Sequence, residues 1–252
     1  AFQISFFRAS FSLIVILPFL IKAGLSQGGI KTKVPLLQIA RGVISALGIM
    51  MGFYAIVNMP LADAQAIRFS SSLFVVPLAA IFLHERVGLK RTVAALIGFL
   101  GVIIMLNPSG NYNIAALSAL GAAIAFAGAA IFVKVVSKYD QPITLMFYSN
   151  IVSIPIMIIP ALFVWITPNL DQLILILLMA ICASIAHNFF IRAYAIGEAS
   201  IIAPIDYVRL LASAAVDFLI FGIIFGLNTL IGSSIIILST LYIVRREAKI
   251  QK

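Results

Sequence analysis

Polar side chains lodged inside apolar runs are where this chain could do chemistry. In SIIAPIDYVRLLASAAVDF, Pro204 interrupts an apolar stretch beside Asp206, Tyr207 and Arg209, and Asp217 follows two turns later. Asp206 and Arg209 are three apart and Arg209 and Asp217 eight apart, so the three fall near one helix face. A guanidinium flanked by carboxylates suits two roles, an ion pair locking helices together or a site for a charged small molecule. Asp206 and Asp217 are also groups that can carry protons. The preceding run holds His187 and Asn188 near its middle, and each must find a partner or water if buried in lipid. In the first half, Arg68 and the serines Ser70, Ser71 and Ser72 occupy the matching run. Arg68 can snorkel to an interface, and the serines can let helices approach closely. Tyr148 and Asn150 form a comparable polar point, as does Arg8. The candidate cavity set is therefore Arg68, Ser71, Tyr148, Asn150, His187, Asn188, Tyr207 and Arg209, with Asp206 and Asp217 as charge partners or proton-coupling groups. No second His or Cys stands three or four residues from His187, which speaks against a metal site. The sequence has no clustered carboxylates, no Ser/His/Asp set and no phosphate-cradling glycine loop, so neither a catalytic residue nor a cofactor is expected.

The elements that must position these groups are apolar helices. The 252 residues are 63% hydrophobic and 10% charged, against about 25% charged in an ordinary soluble domain. Spanning helices need roughly 20 apolar residues each, and the chain divides into such blocks joined by short polar segments. The expected spans are Phe2–Ile21, Pro35–Val57, Ala64–Leu83, Thr92–Leu106, Ile114–Val136, Ile143–Ile166, Gln172–Ala195, Ile201–Phe221 and Thr229–Val244, nine in all. If the first span ends in the cytoplasm, fourteen of the seventeen basic residues fall on the inner side. They are Lys22, Lys31, Lys33, Arg41, Arg86, Lys90, Arg91, Lys134, Lys138, Arg192, Arg245, Arg246, Lys249 and Lys252. The opposite joints contain no Lys or Arg, which satisfies the positive-inside rule and places the C-terminus in the cytoplasm. The remaining Arg8, Arg68 and Arg209 lie within spans, where each costs from about 2.5 kcal/mol unless paired or hydrated. The net charge of +9 is spread over joints instead of one face, which argues against a nucleic-acid partner. The single Cys182 sits in an apolar run and reads as packing. No secretory leader is visible at the start.

The segment PLADAQAIRFSSSLFVVPLAAIFLHERVGLK, from Pro60, resembles GEASIIAPIDYVRLLASAAVDFLIFGIIFGLN, from Gly197; each follows a Tyr-Ala pair, at Tyr54 and Tyr194. The two copies cross the bilayer in opposite directions, so the repeat is inverted, as in carriers whose bundles rock about a midplane site. Glu85, which closes the first copy, has no counterpart near Ile220–Ile223, and beside Arg86 it reads as a helix-end ion pair.

These residues resemble the EamA-type transporters of the drug/metabolite transporter superfamily. The resemblance spans the chain and rests on FFRASFSLIVILP, the RGVISALGIMMGFY helix from Arg41, ADAQAIRFSSSLFVVPLAAIFLHE, the following Gly98 and Gly101, and EASIIAPIDYVRLL. It implies an all-α integral membrane fold of two inverted five-helix repeats, residues 1–110 and 111–252, ten helices in the family with the first missing here. It also implies a bacterial inner-membrane secondary transporter, monomer or homodimer, that moves a small organic metabolite by alternating access. Amino-acid export, uptake of S-adenosylmethionine or nucleoside-like compounds, and vitamin uptake all fall within the family. The FFR…SFS…LP opening and the AP..Y..LL…SA pattern are most similar to the S-adenosylmethionine uptake group. A membrane enzyme lacks any supporting constellation. A lipid flippase or a structural membrane subunit of the same architecture stays open as the alternative.

Overall fold

The structure, a computed structural model, describes residues 2–27, 31–59, 61–85, 87–106, 114–208, 211, 212, 215, 219 and 227–250. Its elements are α1 (Phe2–Gln27), α2 (Pro35–Asn58), α3 (Leu61–Phe69), α4 (Ser71–Phe82), α5 (Leu89–Leu106), α6 (Ile114–Val136), α7 (Pro142–Phe163), α8 (Leu170–Ile196), α9 (Ala199–Ile205) and α10 (Leu227–Ile250). Five of these, α1, α2, α6, α7 and α8, are long and apolar enough to cross a membrane, counting among the described residues. Helices are what such a sequence must form, because in hydrocarbon each backbone N–H and C=O has to be satisfied within its own segment. The chain is an all-α integral membrane protein.

The distribution of side-chain size is that of a protein dissolved in lipid. Large apolar groups point outward, Phe19 being 64% exposed, Leu175 65% and Phe189 69%, whereas the buried face is lined by alanines such as Ala46, Ala123 and Ala180. In water those outward faces would be a continuous apolar patch; in a bilayer they are solvated, and small residues inside let the backbones close on each other.

The contacts group the chain into two compact units, each taking part of both halves of the sequence. The first comprises residues 1–53 and 128–196. Here α1 lies against α7 and α8, Ser12 Oγ donates to the Ala180 carbonyl (3.4 Å), and Phe6 and Phe7 pack on Trp165 with ring centroids 6.2 and 5.5 Å away. Gly42 of α2 meets Val152 of α7 so closely that a Cβ would fall 2.7 Å from the valine Cβ. The second unit comprises residues 54–127 and 197–252, in which α5 packs along α10 and α4 along α9. Its core gathers Phe69, Val102, Tyr207 and Ile236, and at Gly101 an added Cβ would lie 2.9 Å from the Gly232 carbonyl.

Two expected spans are broken. The Ala64–Leu83 run divides at Ser70, where Ser70 N–H donates to the Ile67 carbonyl (3.0 Å) and Leu73 N–H to the Ser70 carbonyl (2.9 Å), tightening the ladder to three-residue turns. The run from Ile201 tightens in the same way at Asp206 and Tyr207, whose N–H groups donate to Ala203 and Pro204 at 3.2 Å each. Pro204 is the local cause, since it has no N–H to return to the Ser200 carbonyl one turn back.

Candidate functional site

In the second unit the two breaks meet. Ser72, just past the first, donates from Oγ to the Ala203 carbonyl (2.8 Å), and the Phe69 ring stands edge-on to the Tyr207 ring at 6.2 Å and 68°. Tyr207 is 0% exposed, and its hydroxyl faces Ser72 without reaching hydrogen-bonding geometry. A buried hydroxyl with no partner among the described residues costs about 1–3 kcal/mol. Arg68 bonds Gln65 through Nε (3.0 Å) and lies over the Phe69 ring at 5.5 Å. Ser71 is half-buried as the first residue of α4, and Asp206 is exposed. The structure thus draws Arg68 and Tyr207 toward one locus through Phe69. Arg209 and Asp217 lie outside the described residues.

Glu85, expected to pair locally with Arg86, makes its described bonds at the start of α9. His84 takes a positive φ of 55°, which turns the chain sharply out of α4. The Glu85 carboxylate then accepts from Ala199 N–H (2.8 Å), Ser200 N–H (3.1 Å) and Ser200 Oγ (2.7 Å), capping the start of α9 from 114 residues away. Arg91 donates to Glu198 and to Ser200 Oγ, both at 2.6 Å. A helix that begins inside a bundle leaves its first N–H groups without partners, and Glu85 supplies them. Its described partners lie at the start of α9, and Arg86 lies outside the described residues.

In the first unit polar groups from α2, α7 and α8 and from the segment before α7 collect near Leu145 and Met146. Arg41, counted above among the basic residues of a joint, is instead inside α2 and 1% exposed. It donates to Gln38 Oε1 (3.0 Å) and to the Leu145 carbonyl, while its Nε has no partner among the described residues. Gln38 in turn donates from Nε2 to Asp140 (2.9 Å), whose carboxylate also takes the Thr32 hydroxyl and Lys33 N–H (3.2 Å). His187 is half-buried and lies at helical spacing along the face of α8 that carries the buried Ala180, Ser184, Ile191 and Tyr194. Asn188 donates to the Met146 sulfur (3.7 Å), and Asn150 back-bonds to the Met146 carbonyl (3.1 Å). Tyr148 is half-buried, its ring edge-on to Phe147 at 5.5 Å. His187, Asn188 and Asn150 therefore share one region, to which Arg41, Gln38 and Asp140 are additions that sequence reasoning missed. The signal was there in part, as Gln38 and Arg41 stand three apart at the start of an apolar helix.

Beside this region α1, α7 and α8 enclose a groove of about 620 Å³. Its lining is mostly apolar, with Phe19, Met146 and Phe189, and its polar members include Ser184, Asn188 and Arg192. Phe19 and Phe189 are exposed, so the groove opens sideways at that face.

The model of the EamA-like transporter family matches residues 1–107 and 113–245. The chain belongs to that family. Among curated relatives, the S-adenosylmethionine uptake transporter of Rickettsia bellii (strain RML369-C) is 34% identical over 250 residues, which is 99% of this chain and 85% of the relative. The riboflavin transporter of Vibrio cholerae is 31% identical over 241 residues, 94% of this chain and 80% of the relative. A solved structure described as "Crystal structure of protein" superposes with a TM-score of 0.81 at 15% identity, over 95% of this chain and 86% of that one, a likeness of fold. This EamA-like chain is a small-molecule transporter of the membrane, and its relatives are named for transport and not for catalysis.

Proposed function

We propose that this EamA-like chain is a bacterial inner-membrane secondary carrier that moves S-adenosylmethionine, or a compound similar to it, by alternating access. The observation that carries the reading is 34% identity along 99% of the chain to an S-adenosylmethionine uptake transporter. Two interrupted helices in contact support it, because broken spans free backbone groups for a substrate at a depth where regular helices offer none. The orientation follows the basic residues, with the C-terminus cytoplasmic, and residues 1–110 and 111–252 are the two inverted repeats. In this reading the substrate-handling candidates are Tyr148, Asn150, His187 and Asn188 in the first unit and Arg68, Ser71, Tyr207 and Arg209 in the second, with Asp206 and Asp217 as charge partners or proton carriers.

A second reading, lipid translocation, draws on one observation, the sideways-opening groove whose apolar walls carry Arg192 and Asn188. One experiment separates the two. Purified protein in liposomes is tested for uptake of labelled S-adenosylmethionine, riboflavin and amino acids, and in parallel for movement of a fluorescent phospholipid between leaflets. Saturable uptake of S-adenosylmethionine with a static lipid supports the carrier. Lipid movement without uptake replaces it with the second reading.

A further inference from the structure

The groove of about 620 Å³ between α1, α7 and α8 has a polar mouth and an apolar depth. Along α8 its lining runs from Arg192 to Ser184, eight residues and about 12 Å of helix. One leaflet of hydrocarbon is about 15 Å thick, half of the roughly 30 Å core, so the groove has the depth of a single leaflet. The two polar groups below the mouth are already engaged, Ser184 Oγ donating to the Ala180 carbonyl (2.8 Å) and Asn188 to the Met146 sulfur (3.7 Å). What is left for an occupant there is an apolar wall that includes Ile16, Met146, Ile185 and Phe189. Among the described residues, Arg192 is the one ionisable member of the lining, is exposed, and has neither a hydrogen bond nor an ion pair. Lys134 reaches the same end of α8, where its Nζ donates to the Ala195 carbonyl (3.3 Å). Residues 1–53 and 128–196 contain two carboxylates, Asp140 and Asp171. Asp140 is taken up by Thr32, Lys33 and Gln38, and Asp171 lies in the first turn of α8, twenty-one residues and about 31 Å of helix from Arg192. An anion at this mouth has to come from outside the unit, and the mouth opens toward lipid.

We propose that this groove holds an anionic phospholipid of the cytoplasmic leaflet, its phosphate on Arg192 and one acyl chain laid against Ile16, Ile185 and Phe189. The placement rests on the orientation read from the basic residues, which puts Arg192 at the inner face. Basic pockets between spanning helices on that side take anionic headgroups, and a guanidinium fork matches a phosphate in shape and charge. Phe19 and Phe189, 64% and 69% exposed, flank the sideways opening, so a chain enters from the bilayer without crossing a polar barrier. This lipid is a resident ligand that joins α1 to α8, distinct from a lipid that is moved. A headgroup passing inward would need free polar partners along the way, and those of Ser184 and Asn188 are spent within the protein.

The test uses the full-length protein, stripped of lipid in detergent, and two probes with identical acyl chains, phosphatidylglycerol and phosphatidylcholine. Binding is measured by native mass spectrometry, and a melting temperature checks the folding of each variant. The wild type is expected to bind phosphatidylglycerol about tenfold more tightly than phosphatidylcholine and to gain about 5 °C in melting temperature at saturating phosphatidylglycerol. Arg192→Gln is expected to bring the ratio to near one. Phosphatidylglycerol with a photoactivatable acyl chain is expected to label the peptides containing Phe19, Ile185 and Phe189, and Ile185→Trp, which narrows the groove, to suppress that labelling. Equal affinity of the wild type for the two lipids overturns the site, as does a preference that survives in folded Arg192→Gln. Label spread evenly over the lipid-facing helices overturns it too, as does absence of label at the groove, the result expected if another segment of the full-length chain fills that space. In liposomes, phosphatidylglycerol that changes leaflet through the wild type and not through Arg192→Gln overturns the resident role in favour of translocation.

Discussion

Replacing Glu85 with Ala removes the cap on α9, and the structure sets the size of the effect. Three hydrogen bonds of 2.7–3.1 Å end on that carboxylate, two from the backbone N–H groups of Ala199 and Ser200, both of which are fully buried. Each buried N–H left without an acceptor costs about 1–3 kcal/mol, and loss of an N-cap that water can replace costs about 0.5–2 kcal/mol. The expected destabilisation is about 3 kcal/mol. For a chain of this length, about 2–4 °C is lost per kcal/mol, so the melting temperature in mild detergent should fall by about 6–12 °C. Glu85→Gln keeps one neutral acceptor and should lose about half as much. The assay is thermal unfolding followed by tryptophan fluorescence or by size-exclusion recovery. A fall of less than about 2 °C for Glu85→Ala would refute the capping role and return Glu85 to a surface charge of little consequence.

Gly101→Ala places a methyl 2.9 Å from the Gly232 carbonyl, a backbone atom that cannot swing aside. The α5–α10 seam should open at a cost of about 1–3 kcal/mol, read as a lower melting temperature. Tyr207→Phe removes a buried hydroxyl that has no hydrogen-bond partner among the described residues. Its stability should stay within about 1 kcal/mol of the wild type while transport falls, and unchanged transport would show that the hydroxyl has no part in handling the substrate.

Membrane class and most helix ends were legible because they follow from local chemistry. Apolar blocks of about 20 residues permit little else, and Pro35 and Pro142 mark helix starts where a missing N–H does no harm. The breaks at Ser70 and at Asp206–Tyr207 were hidden, because apolarity continues through both. What marks them is local hydrogen bonding by Ser70, whose hydroxyl donates to the Ile67 carbonyl, and a proline without its N–H, and neither changes the hydropathy of the run. Arg41 was assigned to a joint because a basic residue six positions into a helix looks accessible. Its burial comes from α7, which contributes the Leu145 carbonyl. Glu85 was read against Arg86 because sequence displays neighbours along the chain, whereas its donors at Ala199 and Ser200 arrive from the other half. Arg68, Tyr207, His187, Asn188 and Asn150 were visible as polar exceptions in apolar runs, but their grouping into two regions was not, since it depends on which helices pack together.

The central claim is exchange of S-adenosylmethionine by alternating access, and counterflow tests it most directly. Liposomes containing the full-length protein are loaded with unlabelled S-adenosylmethionine and diluted into a trace of the labelled compound. A carrier that must rebind substrate on one face to present its site again on the other accumulates label transiently above its outside concentration. The account predicts that overshoot, saturable and absent from empty liposomes. Simple equilibration with no overshoot, unaffected by internal substrate, would contradict it.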